Sequence, residues 1–259
     1  MNIAIYGDSW VRGAWSTPDK VVDQTSDEYF NVAMSRYYNI ISSPHNSGGG
    51  NLDSVRYLLD FIIYTKNNSG IVPPLSETKF LFVQTDPARD LLTYSVFNNG
   101  RSFFMFKEPI SAEATVFPFL NNNRIYQRYY TSILKMNIEM LYDVLDMIAR
   151  YHGITINMVG GWSDIDPCIA RYPHLNVVCN SWLQLIEPTH TPSIYSSYNP
   201  NLHLTSIDTA NLDVLLNGVG SRSTCTRKHE GTYFGWHGDS HPSRKGIDFL
   251  LEHIHDKLL

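Results

Sequence analysis

Ser9 stands just after the apolar run Asn2-Ile3-Ala4-Ile5-Tyr6, within Gly7-Asp8-Ser9-Trp10-Val11-Arg12-Gly13. A hydroxyl in a glycine-flanked turn at a strand end occupies the crevice where open α/β sheets place their chemistry. A serine nucleophile needs a base to take its proton, and Gly238-Asp239-Ser240-His241-Pro242 offers an imidazole with a carboxylate two residues before it. The pair points to acyl transfer and requires the two ends of the chain to meet. The same segment has a competing reading, because His237, Asp239 and His241 alternate and would project from one face of an extended strand, as metal ligands do. Pro242 and the helical pattern behind it instead make His241 the end of a loop, and no second ligand cluster accompanies it. No metal and no cofactor is therefore expected.

Gly-Asp-Ser near one end and an Asp/His-Pro segment near the other resemble the SGNH (GDSL-type) hydrolases, a family of esterases, lipases and carbohydrate deacetylases. The resemblance rests on four short segments in the family's order, and it implies an oxyanion hole made from three donors. These are the backbone N–H of the serine, a glycine N–H after the second strand and an asparagine side chain after the third. Asn46-Ser47-Gly48-Gly49-Gly50-Asn51 follows the second predicted strand. Consecutive glycines let the backbone approach a ligand closely, beside a helix N-terminus that favours negative charge. Gly49 is the expected donor, with Gly50 next. After the third strand, Val83-Gln84-Thr85-Asp86 puts Thr85 where the family has asparagine, and a hydroxyl reaches less far than a carboxamide. Gly238 occupies the family's aspartate position, three residues before the histidine, so Asp239 either orients His241 from an altered loop or leaves Ser9 and His241 as a dyad. Asp8, Arg89 and Trp236 complete the candidate set as substrate contacts, with Arg89 suited to an anionic group.

The resemblance further implies short acyl groups, acetyl on a carbohydrate being the expected case, and the style of the chain is similar to members encoded by bacteriophages. The alternative expectation is a non-catalytic carbohydrate-binding or virion-associated protein that keeps the fold while its catalytic positions drift.

Such residues need a sheet to position them. Short apolar runs at Ile3–Tyr6, Tyr37–Ile41, Phe80–Gln84, Ile154–Val159 and Leu175–Cys179 read as buried strands of a parallel sheet. Helical patterns fall between or after them, at about 27–35, 52–65, 133–152 and 243–257. This alternation predicts an α/β chain with a five-stranded parallel sheet. The family resemblance makes it a three-layer, flavodoxin-like fold in one domain over residues 1–259. Two stretches break the pattern, at about 93–130 and 187–234. The first is rich in Phe, Tyr and Asn and the second in Pro, Ser, Asn and Tyr, and loops this long in a compact domain are usually functional or disordered.

Composition narrows the function classes. A net charge of −5 without dense Lys or Arg clusters opposes nucleic-acid binding, since phosphate neutralisation needs clustered cations. No apolar run approaches the ~20 residues of a membrane span. The three cysteines, Cys168, Cys179 and Cys225, are odd in number and widely spaced, which implies neither a disulfide framework nor a thiolate metal site. Met1 stands too close to the first strand for a secretory signal to fit between them. A cytoplasmic location is expected, or virion association for a phage-encoded chain. A small ester or acylated carbohydrate is the expected partner.

Overall fold

A computed structural model of the chain describes residues 1–8, 11, 29–44, 50–85, 87, 124–161, 164–186 and 244–259. Its strands are β1 (Asn2–Tyr6), β2 (Asn39–Ser42), β3 (Thr78–Gln84), β4 (Ile156–Gly160) and β5 (Leu175–Cys179). All pair in parallel in the order β2-β1-β3-β4-β5, so the direction of strand succession reverses between β1 and β3. The helices are α1 (Tyr29–Met34), α2 (Asn51–Asn67), α3 (Arg124–His152), α4 (Trp182–Ile186) and α5 (Arg244–Ile254).

The strands read as continuous apolar runs because both faces of the sheet are covered. Side chains alternate along each strand, and the register Ala4 to Phe80 to Ile156 and Tyr6 to Phe82 to Met158 aligns one face across three strands. That face meets Leu58 and Ile62 of α2 and Leu141, Tyr142 and Leu145 of α3. The other face, with Ile3, Ile5, Leu81 and Val83, meets Phe30 and Met34 of α1, Trp182 of α4 and Leu250 and Ile254 of α5. Two apolar cores thus flank the sheet in three layers.

The direction of α5 matters for the site. The Trp182 indole N–H, just beyond the carboxyl end of β5, donates to the Gly246 carbonyl near the start of α5 (3.1 Å). At its far end Asn157, near the start of β4, takes the Leu259 N–H (2.9 Å) and donates to the Leu259 carbonyl (3.2 Å), while Lys79 donates to the Leu258 carbonyl (2.8 Å). The helix therefore runs from the carboxyl edge of the sheet to the amino edge.

Helix α3 departs from expectation by starting at Arg124, so residues 124–130 extend the helix rather than close the loop. The Asn137 side chain donates to the Pro87 carbonyl just past β3 (3.5 Å), which levels residue 137 with the carboxyl edge. The 13 residues before it continue past the sheet by ~20 Å at 1.5 Å per residue. The aromatic-rich sequence there has only middling helix propensity, and propensity alone does not announce the extension. Residues 187–234 lie outside the described residues.

Glycine is required where strand ends crowd. A Cβ on Gly160, at the end of β4, would lie 2.2 Å from the Asn180 carbonyl oxygen, and one on Gly7 would lie 2.4 Å from a Val11 methyl. A backbone carbonyl yields less readily than a methyl. Gly160→Ala is expected to destabilise the fold by about 1–3 kcal/mol as an overpacking change, read as a lower urea midpoint at unchanged slope.

Candidate active site

At the carboxyl edge, where the strand order reverses, three buried polar residues join β1, β3 and α2. Asp8 follows β1 and is 2% exposed; Thr85 follows β3 and Asn51 opens α2, each at 1%. The Thr85 hydroxyl donates to the Asp8 carboxylate at 2.6 Å. The Asn51 side chain makes a two-point bridge to the Thr85 backbone, accepting from its N–H (2.9 Å) and donating to its carbonyl (3.1 Å). This bridge does for the end of β3 what another strand would do, pairing main-chain groups that are buried there. The Asp8 carbonyl takes the Val11 N–H (3.1 Å), so the chain turns back at once after β1.

A second buried chain lies beneath. The Tyr142 hydroxyl accepts from the Asp166 N–H (3.0 Å) and donates to the Gln84 side-chain carbonyl (2.8 Å), and the Gln84 amide donates to the Asp164 carbonyl (3.0 Å). Burial pushes the Tyr142 hydroxyl far above its ordinary titration range, which keeps it a donor. Helix α3, strand β3 and the segment after β4 are locked together directly under Thr85.

Asp8, expected among the substrate contacts, is buried and receives the Thr85 hydroxyl. Thr85 has one hydroxyl proton, and here that proton goes to Asp8, so donation to an oxyanion would require breaking the bond. The Gly50 N–H is committed too, donating to the Asp53 carboxylate of the first α2 turn (3.1 Å). Of the four expected oxyanion donors, these two are engaged within the protein; Ser9 and Gly49 lie outside the described residues. So do His241, Asp239, Arg89 and Trp236, together with His237 of the competing metal reading. Among the described residues no group of three or more His, Cys, Asp or Glu is placed to hold a metal. Burial pushes the Cys179 thiol up to about 11 and raises that of Cys168 as well, which leaves both poor nucleophiles. Among the described residues no helix is long and apolar enough to cross a membrane.

The sequence reading passed over Asn51 as a site residue, although it closes the glycine run. The signal was available: an asparagine at a helix start commonly serves the backbone, and here it serves that of the neighbouring strand end. Thr85→Val would remove the Thr85 donor from the buried Asp8 carboxylate and is expected to cost about 1–3 kcal/mol in urea denaturation, whereas Thr85→Ser keeps the hydroxyl and should cost less than about 1 kcal/mol. Equal stability of the two variants would show that the bond to Asp8 contributes nothing.

Searches against protein-family models, curated proteins and solved structures return no match to this chain.

Proposed function

We propose that this chain is a serine ester hydrolase of the SGNH type, with a flavodoxin-like sheet, acting on short-chain esters, acetyl groups on a carbohydrate in particular. The observation that carries the reading is the Asp8–Thr85–Asn51 junction at the strand-order reversal, because it fixes the residue immediately before Ser9 at the edge where parallel α/β sheets bind ligands. Helix α5 supports it from the other end of the chain, since it starts at that edge and His241 precedes its first residue by three positions. In this mechanism the Ser9 hydroxyl attacks the ester carbonyl while His241 takes its proton; the tetrahedral intermediate expels the alcohol, which receives that proton. Water, deprotonated by His241, then releases the acid and regenerates Ser9. The oxyanion is held by the N–H groups of Ser9 and Gly49, because Thr85 and Gly50 are already bonded.

One observation favours a second reading. With Thr85 and Gly50 both engaged, the hole has fewer donors than the family pattern provides, and losing one such donor costs ~3 kcal/mol of barrier. A carbohydrate-binding or virion-associated protein that no longer turns over would look the same at these positions.

A fluorophosphonate probe separates the two. Covalent labelling mapped to Ser9, abolished by Ser9→Ala with little change in Tm, is the result expected of the hydrolase. Absence of label at high probe concentration favours the binding protein. In a labelling enzyme, Asp239→Asn distinguishes triad from dyad. If Asp239 orients His241, kcat falls severely and the acidic limb of kcat/KM moves to lower pH, because removing a neighbouring carboxylate lowers the imidazole pKa. An unchanged rate with an unmoved limb leaves Ser9 and His241 as a dyad.

A further inference from the structure

At the carboxyl edge of the sheet the described residues bury three carboxylates: Asp8 after β1, and Asp164 and Asp166 after β4, exposed by 2, 2 and 8%. Asp8 takes the Thr85 hydroxyl, and Asp166 takes the Cys168 N–H at 2.7 Å as the cap of the short helical turn that follows β4. Asp164 is placed differently. Its carbonyl accepts from the Gln84 amide (3.0 Å), and the Ile165 N–H beside it donates to the Asn180 carbonyl just past β5 (2.9 Å). The Asp166 N–H donates to Tyr142 of α3 (3.0 Å), so the backbone that carries the Asp164 carboxylate is held to the ends of β3 and β5 and to α3 at once. Burial raises the Cys179 thiol, and the negative charge of Asp164 raises it further. Cys179 packs in the core that includes Ile247 and Leu250, which brings the Asp164 charge within reach of the core that α5 closes.

We propose that Asp164 is the carboxylate that positions His241, so that the acid of the triad comes from the sheet rather than from Asp239. The inference rests on the serine hydrolase reading above. Chain connectivity supports it, because Trp182 holds the Gly246 carbonyl of α5 beside the end of β5 (3.1 Å), and His241 lies three residues before Arg244. Three residues of chain span at most ~11 Å, which keeps His241 at the edge where Asp164 sits. The strand order supports it as well. Strands β1 and β4 flank β3, and at ~4.8 Å per strand they stand ~10 Å apart. A hydroxyl, an imidazole and a carboxylate in a hydrogen-bonded line span ~8 Å from oxygen to oxygen, so one imidazole bridges residues that follow these two strands. In this arrangement His241 takes the Ser9 proton and passes it to the leaving alcohol, while Asp164 accepts the other imidazole N–H and stays ionised throughout. At a buried edge the attraction between that carboxylate and the imidazolium is far stronger than in water. A carboxylate on the frame also holds a base more precisely than one on the base's own loop.

Fluorophosphonate labelling of Ser9 in the wild-type chain comes first, and a chain that never labels loses the hydrolase reading and this role with it. In a labelling chain, Asp164→Asn is expected to lower kcat on an aryl acetate roughly 10³- to 10⁴-fold with KM little changed. The acidic limb of kcat/KM moves to lower pH, whereas Asp239→Asn leaves rate and limb as they are. The dyad that a silent Asp239→Asn would leave is thereby completed from the sheet. Formate added to Asp164→Ala should restore part of the rate where chloride does not, which separates positioning from a merely structural loss. The proton spectrum gives a readout that needs no Asp164 variant to fold. Below the pKa of the base, wild type should show a far-downfield imidazole N–H resonance that is absent from His241→Ala and retained in Asp239→Asn. Full activity in Asp164→Asn overturns the proposal, as does absence of that resonance from wild type or its loss in Asp239→Asn, and each of these leaves the labelling of Ser9, and so the hydrolase reading, intact.

Discussion

The two-point bridge between the Asn51 carboxamide and the backbone of Thr85 is the constraint on which the carboxyl edge depends. A parallel sheet ends with N–H and C=O groups that the next strand no longer reaches, and burying them unpaired is costly. Here a side chain at a helix start takes the place of the missing strand. Its effect spreads, because Thr85, once fixed, places its own hydroxyl on Asp8, and Asp8 is where β1 turns away from the sheet. At this edge three elements are tied through atoms of three residues.

The same economy accounts for the first turn of α2. Glycine has no side chain with which to cap a helix, so Asp53 reaches back to the Gly50 N–H instead, placing a carboxylate near the positive end of the helix. A donor that looks available in a glycine-rich sequence is thereby already used. Thr85 follows the same logic. Residues that the family pattern treats as tools for chemistry are, in this chain, parts of the frame.

Much of the frame was legible in the sequence. The strands were found within about two residues at each end because burial on both faces makes each a continuous apolar run bounded by polar or glycine residues, which is a strong local signal. Helix α2 was equally plain from its spacing. The first turns of α3 were missed because Arg124 to Thr131 holds several aromatic residues with no strong helical bias, and the helix there extends one that is secured further along by Ile138, Leu141, Leu145 and Ile148. The site was only partly legible. That Ser9 follows a buried strand can be read from the chain, but whether a hydroxyl or an N–H is free depends on a partner far away in sequence. Asp8 and Thr85 are separated by 77 positions, and no local pattern records such a pair.

Tyr142 has a consequence that reaches further. It projects into the sheet-side core from a helix whose outer side carries Met140 and Met147, and its hydroxyl holds Gln84, the residue just before Thr85. Protein interiors are close-packed, so a helix linked in this way does not shift alone. Any pressure that tilts α3 from outside is felt as a displacement of the strand end, and any ligand that draws on the strand end is felt in turn along the helix. Substitutions on the outer side of α3 and at the strand end are therefore expected to depart from additivity in a double-mutant cycle.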